Sequence, residues 1–208
     1  RDVDRKEGRG NMKLIDEFLH LKCSGDVLNA AGPMRQAAKE ISESMSLIHV
    51  VKSIILREPM KHHVVDLCAG NALTSLTAIH LLPIISATAI DIKPRARVSH
   101  MEAKRFHYVQ GDIYDDLLWM GFPRPAIFVS SHPCGDLARV IVMKASEERF
   151  AVMPCCLPKR MPDSPTEKFI AGKLGKYAAW AFCLARLSGG EITEARHCLS
   201  PARLVVKK

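Results

Sequence analysis

Long apolar runs are missing from this sequence. No stretch approaches the roughly 18 consecutive apolar residues that would carry a helix across a bilayer. The richest segment, residues 79–92, is interrupted by His80, Pro83 and Ser86. The chain does not open with the charged-then-apolar pattern of a secretory leader, though it begins with Arg and its first residues carry no weight here. Aromatic residues are scarce at 6%, which argues against a platform for stacking single-stranded bases. Internal repeats and low-complexity tracts are absent. The seven cysteines are odd in number and are not spaced like a secreted disulfide framework. A chain of 208 residues can also bury enough apolar surface to fold without such staples. A reducing, cytoplasmic setting without membrane association is the expectation.

What the chain does contain is ordinary for a globular domain. Its hydrophobic share is 48% and its charged share 25%, so no large disordered part is expected. The formal charge of +8 and pI near 9.2 favour a polyanionic partner, with solubility as the blander explanation.

From His62 onward, short β-branched runs alternate with helical patterns, the signature of βαβ units and a parallel sheet. The runs predict strands at residues 63–68, 87–92, 106–110, 126–131 and 150–153, with a terminal pair at 191–198 and 203–207. Between them the spacing predicts helices at 73–82, 96–105 and 114–120, a helix from Gly135 or Asp136 to about 148, and a long one at 166–187. A Pro-rich basic loop spans 154–165. Residues 1–61 differ. Helical spacing at 13–21 and 34–56 flanks a Gly32-Pro33 turn, and the segment is too short for a core of its own. It reads as a helical cap on a domain of residues 62–208.

Polar residues gather at the C-terminal ends of the strands, where open α/β sheets bind ligands. Asp66 and the turn Cys68-Ala-Gly70-Asn71 end the first strand, and Gly70 permits a tight turn and close ligand approach. Asp91 ends the second strand about 20 residues later, the distance of an acid that binds ribose hydroxyls. Asp112 follows Gly111 at the third. A dinucleotide would want G-x-G-x-x-G at the first loop. Only one glycine is present, with Cys68 and Ala72 where further glycines would help, and this counts against NAD.

Residues 64–71, Val64-Val-Asp-Leu-Cys-Ala-Gly-Asn71, resemble the first motif of class I S-adenosylmethionine (SAM)-dependent methyltransferases. Ala89-Ile-Asp-Ile92 resembles their second motif, whose acid holds the ribose, and Val109-Gln-Gly-Asp-Ile113 the third, whose acid contacts the adenine amino group. The three stand in family order at predicted strand ends, and the resemblance covers residues 62–156. It implies a Rossmann-like α/β fold: a doubly wound, seven-stranded sheet, mostly parallel with an antiparallel last strand, under the N-terminal helical cap. The cofactor it implies is S-adenosyl-L-methionine. Asp66, Ala69, Gly70, Asn71, Asp91, Ile92, Gly111, Asp112, Ile113 and Ser131 would bind it, with Asp66 suited to its ammonium group. The chain departs from the family in lacking most of the first loop's glycines.

After the fourth strand comes Ser130-Ser-His-Pro-Cys-Gly-Asp-Leu137, and after the fifth Pro154-Cys155-Cys156. This pairing resembles a branch of the family with His-x-Cys-Gly and a later Cys-Cys, whose members include proteins similar to a tRNA ribose 2′-O-methyltransferase. His132 is the candidate general base, able to change charge near neutral pH. Asp136 is a candidate to orient it or take the proton. Each has a plainer reading, His132 as a wall over the adenosine and Asp136 as a helix cap. Cys134, Cys155 and Cys156 could reach one another and, with His132, form a zinc shell. Their spacing is not that of zinc knuckles, so no metal is expected and the cysteines read as semi-buried pocket lining. A methyl-carrying cysteine is disfavoured because no activating base adjoins Cys155 or Cys156 in sequence.

Cys134, Cys155, Lys159 and Arg160 are the candidate substrate contacts. The last two lie on the basic loop beside the expected opening, where they could hold phosphates; Lys93-Pro-Arg-Ala-Arg97 could add to them. The expected activity is methylation of RNA, of tRNA or rRNA. The Asn-Pro-Pro-Tyr motif of many amine-methylating enzymes is absent at residues 131–134. A methyltransferase of a small molecule or protein, and a scaffold that kept the fold without catalysis, are the alternatives. The sequence does not fix the oligomeric state.

Overall fold

A computed structural model of the protein describes residues 13–93, 104–161, 163–195, 198 and 203–208. Among the described residues, three helices, α1 (Leu14–Leu19), α2 (Ser24–Ala31) and α3 (Ala37–Ile55), precede the sheet. The alternating part then runs β1 (His63–Leu67), α4 (Leu73–Leu81), β2 (Ser86–Asp91), β3 (Phe106–Gln110), α5 (Asp116–Met120), β4 (Ala126–Ser130), α6 (Asp136–Lys144) and β5 (Arg149–Val152). It closes with α7 (Pro165–Leu174), α8 (Lys176–Ser188), β6 (Glu191–Glu194) and β7 (Arg203–Lys207).

The seven strands form one sheet in the order β3-β2-β1-β4-β5-β7-β6. The first five are parallel to one another, and β7 runs antiparallel to both β5 and β6. The fold is therefore the expected seven-stranded, doubly wound α/β sheet. Strand order reverses between β1 and β4, whose pairing runs from His63–Ala126 to Asp66–Val129. A crevice at their C-terminal ends follows from that reversal.

Period-two alternation divides the core. In β1, Val64 packs on one side, and Val65 and Leu67 on the other. The Val64 side is covered by α3 and α4 through Met45, Ile48, Val51, Leu73 and Leu76. On the Val65 side, Phe128 and Phe150 meet Ile141 of α6 and Trp180 and Leu184 of α8. The N-terminal helices thus share one continuous apolar cluster with the sheet, and burying each large side chain there stabilises the fold by about 1.5–3 kcal/mol.

Some boundaries differ from the sequence expectation. The long helix at 166–187 is two helices, separated by Gly175 at φ +88°. The helix after β4 ends at Lys144 and gives way to a turn. Helix α2 was not anticipated; it buries only Val27 and Ala31, too few positions to show a period. The basic helix expected at 96–105 lies outside the described residues up to 103, and Lys104 and Arg105 form a turn. Pro94 to Arg97 and the predicted strand positions 196 and 197 also lie outside them. Among the described residues, no helix is long and apolar enough to cross a membrane.

Candidate functional site

The loop after β1 holds three left-handed residues at alternate positions: Cys68 at φ +56°, Gly70 at +55° and Ala72 at +60°. Only one is glycine. For Cys68 and Ala72 the left-handed conformation costs on the order of 1–2 kcal/mol each. Hydrogen bonds hold the shape against that cost. Ala69 N donates to Ile90 O at 2.9 Å, Ala72 N to Ala69 O at 2.8 Å and Leu73 N to Asn71 Oδ1 at 3.2 Å. Tyr108 donates its hydroxyl to Gly70 O at 2.8 Å. The departure from a glycine-rich loop is one of side chains; the backbone still turns at three places. A Cβ at Gly70 would meet nothing within 4 Å, so the backbone there lies open to a ligand.

The three predicted acids differ in what they face. Asp66 is 1% exposed and accepts from both the backbone N and the Oγ of Ser75, at 3.2 and 3.1 Å. Burial pushes its pKa up to about 7, against the lowering effect of the Ser75 hydrogen bonds. It lies beneath the loop, outside the cavity lining. Asp91 accepts from Gly70 N through Oδ2 and from Lys93 N through Oδ1, both at 2.9 Å, and so braces the loop. Asp112 is exposed and accepts from Tyr114 N at 3.0 Å. All three act on one thiol: burial first, then the charges of Asp91, Asp66, Cys134 and Asp112, push Cys68 up to about 12. Cys68 lines the cavity, whereas Asp66, Asp91 and Asp112 stand behind its wall and are not part of the lining.

That cavity, about 720 Å³, opens at the ends of β1 and β4. Of the predicted residues it is lined by Ala69, Gly70, Asn71, Ser131, His132, Cys134 and Cys155. Ile92, 57% exposed, is not among its walls. Nor is Gly111, whose N donates to Asp91 O, or Ile113, which is buried in the opposite core. Lys159 and Arg160 are exposed on the loop after β5, outside the lining.

The remaining wall comes from the N-terminal segment, where the sequence motifs place no site residue. Arg35, Gln36, Lys39, Glu40 and Ser44 line the cavity. Asn71 donates through Nδ2 to Glu40 Oε2 at 3.1 Å, and Ser44 Oγ meets Thr74 Oγ1 at 3.0 Å, stitching α3 to the loop. Glu43, 3% exposed, places Oε2 3.0 Å from His132 Nε2. The partner of His132 is therefore Glu43. Asp136 instead pairs with Arg139 at 3.2 Å in the first turn of α6, whose N-cap is Gly135 without a side-chain cap bond. The sequence carries part of this as a polar helix face, and the structure adds the burial. Residues 36, 39, 40, 43 and 44 place polar groups on one face of a helix whose later turns are apolar, and four of its early positions, Ser42, Glu43, Ser44 and Ser46, are buried.

The cysteines after β4 and β5 do meet. Cys134 Sγ lies 3.2 Å from Cys155 Sγ, and Cys155 Sγ lies 3.5 Å from Cys156 Sγ. Burial raises the pKa of both Cys134 and Cys155, so neither thiol is activated as a nucleophile.

No protein-family model matches the chain, and no curated protein matches it in sequence. Solved structures do resemble it. A proposed RNA methyltransferase from Pyrococcus horikoshii aligns over 93% of this chain and 92% of its own, with 15% identity and a TM-score of 0.51. A protein of Thermoplasma acidophilum aligns over 89% and 96%, with 14% identity and a TM-score of 0.50. At such identity the likeness shows the fold, the Rossmann-like sheet common to these structures.

Proposed function

We propose that this chain is a SAM-dependent methyltransferase acting on RNA, of tRNA or rRNA. One observation carries the reading: the thrice-turned loop 68–72 and His132, backed by Glu43, line the same cavity at the strand-order reversal. The residues present suit SAM, whose chemistry is to supply an electrophilic methyl group. Gly70 leaves open space for a ligand, and Asn71 and Ser131 add polar groups to the lining. Each Asp91 oxygen accepts one amide and keeps a lone pair for a hydroxyl. Asp66 supports the loop and α4 from below.

His132 serves as the base. The Glu43 carboxylate, 3.0 Å from Nε2, stabilises the imidazolium by its charge, and Nδ1 is the nitrogen left to take a proton from an acceptor hydroxyl. Much of the remaining rate enhancement in such a site comes from alignment of donor and acceptor. Arg35 and Lys39 at the cavity wall, exposed Lys159 and Arg160, and the net charge of +8 support a phosphate-bearing acceptor.

The test is incubation with methyl-labelled SAM and separate total RNA, protein and metabolite fractions. Label in RNA, lost on replacing His132, is the expected result. Label confined to protein or metabolites would overturn the RNA acceptor, and no transfer together with no SAM binding would leave a non-catalytic scaffold.

A further inference from the structure

Three thiols stand together at the rim of the cavity. The Sγ atoms of Cys134, Cys155 and Cys156 all lie within 4.8 Å of one another. Zinc holds sulfur at about 2.3 Å, so tetrahedral ligation places neighbouring sulfurs about 3.8 Å apart. The observed separations of 3.2 and 3.5 Å, with the third no more than 4.8 Å, bracket that spacing. Small side-chain rotations would bring all three into place.

The backbone already presents them. Cys134 follows β4 and the Cys-Cys pair follows β5, strands that lie side by side in parallel register. Met153 N donates to Ser130 O at 2.9 Å, and Tyr177 donates its hydroxyl to Pro154 O at 2.5 Å. The two loops touch at Gly135, where a Cβ would lie 3.6 Å from Leu157 O and 3.7 Å from Pro158 Cα. Adjacent residues in a strand point to opposite faces. The chain has left β5 before Cys155 and bends at Cys156, so both thiols can turn to one side.

We propose that Cys134, Cys155 and Cys156 bind one thiophilic divalent cation of the zinc class. Binding displaces one proton from each thiol to solvent and leaves three thiolates on the ion. All-sulfur ligation selects against Mg²⁺ and Ca²⁺, which take oxygen. Three protein ligands leave a fourth position for water or substrate. Cys134 and Cys155 line the cavity, so the ion would sit at its rim. His132 remains with Glu43 and supplies no ligand. The inference does not depend on the methyl-donor reading, because the cation needs neither SAM nor acceptor.

Anaerobic titration of the fully reduced, full-length protein with Co²⁺ tests it. A single equivalent should produce the near-ultraviolet band of thiolate-to-cobalt charge transfer, and Zn²⁺ should displace it. C134S, C155S and C156S should each weaken binding by more than the roughly 10–100-fold that loss of an outer-shell partner costs. C23S, in the N-terminal helices, should titrate as the parent does. Circular dichroism on each variant separates lost ligation from lost folding, and Cys134 and Cys156, both exposed, are the positions least apt to disturb the fold. Absence of the band in folded protein, or its persistence in C134S and C156S, would overturn the site. So would a reduced protein that takes up no cobalt and forms a Cys134–Cys155 disulfide in air. Failure to bind SAM would leave the cobalt result untouched.

Discussion

His132 owes its assigned role to the residue behind it. Its side chain is about one-third exposed at 34%, while Glu43, at 5%, is shielded from water, so the pair has one end in solvent and one in the interior. An imidazole positioned this way can accept a proton without turning away from the cavity. Replacing His132 by Gln should lower turnover about 100-fold or more, as loss of a general base does, with SAM affinity nearly unchanged. Glu43→Gln should lower turnover less and leave SAM affinity alone. Equal losses of turnover and affinity in both variants would make His132 a wall of the pocket. Asp66 gives a separate prediction at this scale. Its folded pKa, about 7, lies above the ordinary 3.8, so the folded state binds the proton more tightly. Stability should therefore fall as pH rises from about 4 to about 7, and the full cost should be present above that range. Asp66→Asn should flatten the decline in urea-melt midpoints and make the variant the more stable at pH 8. The gap between the two pKa values sets an upper limit of about 4 kcal/mol.

The loop 68–72 and helix α3 build the site as elements. Gly70→Ala would put a methyl group at φ +55° into open cavity space. It should cost about 1–2 kcal/mol in stability from the left-handed backbone, and it should weaken SAM binding as well, because the new Cβ occupies the ligand's approach. Paired urea-melt and calorimetric measurements check both effects. An unchanged affinity with the expected loss of stability would place the ligand elsewhere. The backbone of this loop was legible only in part. Asp66, Gly70 and Asp91 marked its place, but Cys68 and Ala72 disguised the left-handed turns that hydrogen bonds to Ile90 and Tyr108 sustain. Those partners lie on other strands, and local sequence carries no sign of them. The α3 wall shows in the sequence only as polar residues on one helix face; the buried Glu43 and Ser44 take on meaning when His132, in the loop after β4, and Thr74, in α4, pack against them. Gly175 was the opposite case: a visible helix breaker inside a pattern read as continuous.

The sheet was the most legible part of the whole molecule. Alternating strand and helix patterns cannot close into a parallel sheet without crossovers, and few topologies satisfy that condition. The seven-stranded, mostly parallel sheet and its terminal antiparallel β7 follow the expectation, and the structure adds the strand order and the reversal between β1 and β4. Charge belongs to this scale as well. If RNA is the acceptor, removing both Lys159 and Arg160 should weaken binding to unrelated RNAs to a similar degree and reduce the salt slope by about 1–2. A filter-binding series at several salt concentrations reads this, and an unchanged slope would place the phosphates on another face. The central claim concerns the nucleoside crevice, and calorimetric titration of SAM into the protein and into its Asp91→Ala variant tests it most directly. The account predicts saturable binding to the parent and a loss of about tenfold or more in the variant, equivalent to a charged hydrogen bond of ~1.5–3 kcal/mol. No heat of binding at millimolar SAM, or the same affinity in both proteins, would contradict it.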